Sequence, residues 1–285
     1  MISKCSPKRR QELMSFRAVQ QNSQSCYNNN ELKTLVKAYN EAITKHGYIC
    51  NINVSEKTCS KPKLIKMSND INELYKELSD NLRVLTKEGG EDSWLSLDFI
   101  NNIKDRNLKE SLLHFTFKPI GPNKENDWLN TTNINEVEQQ YIDLYKSSKN
   151  FTFLGAQPSD YSKITRINYS SLKKSNYTGI IFNTDPHNKP GIHWVSVFID
   201  NRNKIVDYFD SLGNNPNKNI CSFLKRFKNY HFNFNKVKHQ KAGAQCGVYA
   251  CFFLNQRLQG ITMADINKQI VSDKMMIDYR KEIFR

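Results

Sequence analysis

The sequence predicts an α+β protein, on three observations. Apolar residues recur at helical spacing from Leu32 to Ile103. Between Phe151 and Lys238, short runs rich in β-branched and aromatic residues alternate with turn residues. An apolar helix, Cys246 to Leu258, follows them. The pattern divides the chain into a mainly helical extension, residues 1–120, and a core, residues 121–285, with Pro119, Gly121 and Pro122 at the join.

The stretch before residue 25 is rich in Ser, Gln and Lys and reads as loose. Asn28-Asn29-Asn30 caps a helix carrying Leu32, Leu35, Val36 and Tyr39 on one face. A second helix over 68–85 carries Ile71, Leu74, Tyr75, Leu78, Leu82 and Leu85, and Gly89-Gly90 stops it. A third helical pattern starts near Trp94 and includes Leu97, Phe99, Ile100 and Ile103. In the core, a helix over 133–145 precedes short strands at 151–154 and 179–183. Two longer strands, 193–200 and 204–210, flank the turn Asn201-Arg202-Asn203. The first of them is apolar on both faces, as a strand covered on both sides must be. A helix over 218–227, a strand over 231–238 and a last helix over 272–284 complete the set.

Composition narrows the function. Of 285 residues, 38% are hydrophobic, and mean hydropathy is −0.67. No apolar run approaches the ~20 residues that span a bilayer, so no membrane partner is expected. Met1-Ile2-Ser3-Lys4-Cys5 lacks an apolar signal core, which argues against secretion. Net charge is +14, a field that attracts polyanions, so non-specific DNA contact through the basic surface is one expectation and a solvated surface the other. The seven cysteines include no CxxC pair. Cys5, Cys26, Cys50 and Cys59 are scattered through the extension, which fits free thiols in a reducing setting. A zinc site from Cys26, Cys50, Cys59 and His46 has the wrong spacing for common motifs, so no metal is expected.

Four residues form a chemical set. Cys246 sits where a Gly-containing loop enters an apolar helix. There the macrodipole and unpaired N–H groups favour thiolate, and the Cys246 N–H faces any oxyanion. His193 and Asp210 stand at the two ends of the predicted hairpin and come back side by side. The carboxylate can then accept the imidazole Nδ1–H and aim the ring at sulfur. Gln240 precedes Cys246 across the Gly243 loop and can fold its amide over the nucleophile. Taken singly, Cys246 suits a buried filler, His193 a strand end, Asp210 a turn and Gln240 an exposed polar side chain. Together they supply a nucleophile, a base, an orienting carboxylate and an oxyanion donor, the parts of acyl transfer through a thioester. No cofactor is called for.

At these residues the chain resembles the SUMO/ubiquitin-like-specific cysteine protease family, which includes the adenovirus type. The resemblance rests on His193-Trp194, Asp210-Ser211-Leu212, Gln240 through Cys246-Gly247, and Trp128-Leu129-Asn130. Asn183-Thr184-Asp185 before Gly191-Ile192-His193-Trp194, and Asn215 after Leu212-Gly213-Asn214, are similar to the polyprotein-processing proteases of large DNA viruses, of African swine fever virus type. That type places Asn where Asp210 stands. The resemblance implies a papain-like core, a central mixed sheet flanked by helices. It implies a Cys246-His193-Asp210 triad with Gln240 in the oxyanion hole, and substrate contacts at Trp128, Trp194 and Asn183. Two indoles at Trp128 and Trp194 would leave a slot that only Gly-Gly threads. The implied activity is cleavage after Gly-Gly in viral structural polyproteins during particle maturation, in the virion and the cytoplasmic viral factory. A deconjugating enzyme acting on modifier tails that end in Gly-Gly is the first alternative. A DNA-binding scaffold with an inactive protease fold is the second.

Overall fold

The structure is a computed structural model and describes residues 4–17, 25–52, 58–87, 90–122, 124 and 126–285. Gly89 of the expected helix stop lies outside them, as does most of the 18–25 stretch read as loose. Two compact units divide the chain, Met1–Lys118 and Pro119–Arg285.

The first unit contains α1 (Pro7–Arg17), α2 (Asn29–His46), β1 (Ile49–Cys50), β2 (Cys59–Ser60), α3 (Ile71–Leu82) and α4 (Arg106–Phe115). Asn28 caps α2 as expected, in a reciprocal box with Glu31. Leu32, Leu35, Val36 and Tyr39 pack with Leu74, Leu78 and Leu82 of α3 and with Trp94 and Phe99. Three findings depart from the sequence reading. Pro7–Arg17 is helical although its composition suggested a loose segment. The pattern from Trp94 onward forms two 3-10 segments, Glu91–Ser96 and Asp98–Asn102, not an α-helix. The four scattered cysteines are paired, Cys5 with Cys26 and Cys50 with Cys59. Three of the four zinc ligands weighed above are thereby spent on S–S bonds.

The second unit contains α5 (Thr131–Lys149), β3 (Phe151–Pro158), α6 (Tyr161–Ile164), α7 (Tyr169–Leu172), β4 (Tyr177–Asn183), β5 (Trp194–Asp200), β6 (Ile205–Phe209), α8 (Lys218–Leu224), β7 (His231–Phe234), α9 (Cys246–Gln259), α10 (Met263–Ile266) and α11 (Asp273–Ile283). One mixed sheet orders the strands β3-β4-β5-β6-β7. The central pairs β4–β5 and β5–β6 are antiparallel, and the outer pairs are parallel. Every residue of β5 is buried, because the sheet is covered on both faces. Trp194 and Phe198 join the core built on α5, α9 and α11. Val195, Val197 and Ile199 join the opposite core with α8. α9 is buried along most of its length, and Phe253 stacks on Phe209 of β6 at 4.6 Å between ring centroids. A helix this apolar is the spine of the core, and its partly exposed polar residues, Gln256, Arg257 and Gln259, gather in its last turn.

Candidate active site

The β5–β6 hairpin does what its sequence pattern requires. Ser196 pairs with Phe209, so the residues just beyond the ladder, His193 and Asp210, lie at the same end. Their side chains meet at 2.7 Å, His193 Nε2 to Asp210 Oδ1. Asp210 is buried, and the same Oδ1 accepts the Leu212 N–H at 2.8 Å. One detail corrects the sequence reading, which gave the carboxylate to Nδ1. The hairpin presents the imidazole to Asp210 through Nε2.

Cys246 is the first residue of α9 and is 4% exposed. The His193 ring and Cys246 line the same cavity. Burial pulls the imidazole down, but hydrogen bonds to Asp210 and Cys246, with the negative charge of both, outweigh it and push it up to about 9. A ring raised that far carries its proton at neutral pH. Gln240 lines the same cavity, of about 350 Å³, with Trp128, Ile192, His193, Leu212 and Cys246. Its Nε2 donates to Gly243 O at 2.9 Å.

Trp128 is 54% exposed and lines both this cavity and a second groove of about 570 Å³. Trp194 and Asn183 line the second groove only. Trp194 is buried in the core, and its indole N–H donates to Leu129 O at 2.8 Å, so it forms a fixed wall. Asn183 Oδ1 accepts the Asp185 N–H at 2.9 Å, which holds the loop that leads back to His193. Gly247 explains how the Trp128 segment approaches Cys246: a Cβ there would lie 2.9 Å from Leu129 Cβ.

Sequence reasoning missed three supports. Ser211 O accepts the N–H groups of both His239 and Gln240, and its hydroxyl donates to Gln240 Oε1. Asp273 accepts the Lys241 and Ala242 N–H groups and the Tyr249 hydroxyl, fixing the loop before Cys246. Arg280, 5% exposed, donates to Gln245 Oε1 and to Asp127 O, one residue ahead of Cys246 and of Trp128 respectively. Chain distance hid Arg280, which stands 35 residues from one partner and 153 from the other. Among the described residues no group of three or more His, Cys, Asp or Glu is placed to hold a metal ion.

A five-stranded mixed sheet between helical layers, with a thiol at the head of the central helix facing a hairpin imidazole, belongs to the papain-like class. The protein is a thiol protease. More narrowly, the chain belongs to the Ulp1 protease family, whose C-terminal catalytic domain matches residues 107–285. Over 278 residues it is 30% identical to a protein of Acanthamoeba polyphaga mimivirus named as a candidate thiol protease, covering 92% of this chain and 89% of that one. Over 201 residues it is 25% identical to a cysteine protease of African swine fever virus, covering 61% and 73%. The crystal structure of an African swine fever virus protease superposes with a TM-score of 0.61 at 19% identity, covering 100% of this chain and 96% of that one. That likeness shares the fold, helical extension included.

Proposed function

We propose that the protein cleaves after Gly-Gly in viral structural polyproteins during particle maturation, with Cys246 as nucleophile, His193 as acid and base, Asp210 as its orienting partner and Gln240 as oxyanion donor. The observation that carries this is His193, bonded to Asp210 at 2.7 Å, on the wall of the cavity that Cys246 and Gln240 also line. With His193 as imidazolium, the Cys246 sulfur attacks the scissile carbonyl, and the new oxyanion takes N–H donors from Gln240 and the Cys246 backbone. The C–N bond then breaks as His193 passes its proton to the departing amine. Water, deprotonated by His193, cleaves the thioester and restores the thiolate.

Trp128, Trp194 and Asn183 form the substrate channel. The exposed indole of Trp128 and the fixed indole of Trp194 favour a backbone without side chains. Residues 1–120 form an arm and 121–285 the catalytic core. The partner is a chain with a Gly-Gly tail or junction, met in the virion or the viral factory. The +14 charge adds a non-specific DNA contact.

Cys246→Ala tests the reading: cleavage of a Gly-Gly-x peptide should vanish while far-UV circular dichroism stays the same. Full turnover by that variant ends it. A modifier-linked fluorophore run beside the peptide separates the two substrate classes. Turnover of the conjugate without the peptide assigns a deconjugating enzyme instead.

A further inference from the structure

Gln240 carries an ambiguity that any oxyanion donor of its kind must resolve. A carboxamide has a donor end, Nε2, and an acceptor end, Oε1, of nearly the same shape. Only Nε2 stabilises an oxyanion; a half-turn about the last side-chain bond would aim a lone pair at it. One contact decides the orientation, and a second holds the amide in it. Gly243 O can only accept, and it sits 2.9 Å from Nε2. Ser211 Oγ sits 2.7 Å from Oε1, an atom that can only accept, so the hydroxyl must donate. A flipped amide would set Oε1 against the Gly243 carbonyl oxygen. The assigned orientation uses one of the two Nε2 protons and leaves the other.

Ser211 is 1% exposed and also grips Gln240 through the main chain, since Ser211 O accepts the Gln240 N–H at 2.9 Å. It immediately follows Asp210, the partner of His193. We infer that Ser211 is a positioning residue that fixes the Gln240 amide with its N–H toward the Cys246 cavity, so that consecutive residues align the imidazole and the oxyanion donor. This rests on the proposed roles of Cys246 and Gln240. Gly243, at φ +78° with open space around its Cβ position, sets the carbonyl direction in the same lock.

The test is a double-mutant cycle on a Gly-Gly aminocoumarin peptide, with Ser211→Ala, Gln240→Ala and both together. Removing an oxyanion donor costs on the order of a hundredfold in kcat, and loosening one should cost about tenfold with KM unchanged. In the Gln240→Ala background, Ser211→Ala should change kcat by less than about twofold. Alkylation of Cys246 by iodoacetamide passes through no oxyanion, so its rate in Ser211→Ala should match the wild type. Ser211→Thr, which keeps the hydroxyl, should recover part of the loss. Equal losses in both backgrounds, an undiminished kcat in Ser211→Ala, or alkylation falling in step with hydrolysis would each overturn the inference. Cleavage that survives in Cys246→Ala removes the parent reading; loss there with additive Ser211 and Gln240 effects removes the Ser211 role alone.

Discussion

Replacing Asp210 with asparagine removes one charge and keeps the shape. The amide oxygen can still accept from His193 Nε2 and from Leu212 N, the two bonds Asp210 Oδ1 makes. What goes is the negative field on the imidazole. His193 stands at about 9 against an ordinary 6.5. That rise corresponds to about 3 kcal/mol of preference for the charged ring, net of the burial that opposes it. The hydrogen bond to Asp210 is the largest raising contribution, and the Asp210 charge adds to it; an amide oxygen accepts the same bond more weakly and without the charge. Asp210→Asn should therefore bring His193 down from about 9. In the wild type, a group raised in the folded state stabilises fully below 6.5 and loses that contribution as pH rises through about 9. The alkaline limb of kcat/KM, followed over roughly pH 6 to 10, should fall near 9 in the wild type and lower in the variant. Thermal stability should decline over the same window in the wild type and less in Asp210→Asn. An alkaline limb at the same pH in both proteins would refute the assignment of the imidazolium to the Asp210 charge.

Three further outcomes follow from particular contacts. Trp194→Phe keeps an aromatic wall but strips Leu129 O of its donor; it should cost about 1–3 kcal/mol in urea unfolding and raise KM for Gly-Gly peptides. Gly247→Ala puts a methyl 2.9 Å from Leu129 Cβ; overpacking of about 1–3 kcal/mol should appear as a lower Tm, with kcat reduced as the Trp128 segment moves. Glu138 of α5 is fully buried beside Cys251, and burial pushes its carboxyl up to about 8. Stability should then fall as pH rises from 4.5 through about 8, and Glu138→Gln should flatten that slope in urea midpoints.

The β5–β6 hairpin and α9 were legible because their burial is written locally. Val195, Val197 and Ile199 alternate with Trp194, Ser196 and Phe198, and both sets are buried. From that pairing the meeting of His193 and Asp210 follows. The imidazole nitrogen did not, since ring orientation depends on backbone direction at the end of the ladder. In the first unit, Trp94, Leu97, Ile100 and Ile103 repeat at intervals of three, the period of a 3-10 turn rather than of an α-helix. Pro7–Arg17 hid behind its charges: Leu13 is its buried apolar anchor among the described side chains. The cysteine partners were beyond reach, because separations of 21 and 9 residues do not announce a pairing.

Those two crosslinks complicate bench work. Dithiothreitol keeps the Cys246 sulfur from air oxidation, and the same reagent attacks Cys5–Cys26 and Cys50–Cys59 wherever it reaches them. A sample stored in reductant for turnover measurements thus puts both staples at risk, while an oxidised sample retains them and leaves Cys246 open to oxidation. Intact-mass counting of maleimide adducts before and after reduction, three against seven, tells which of the two materials is in the tube.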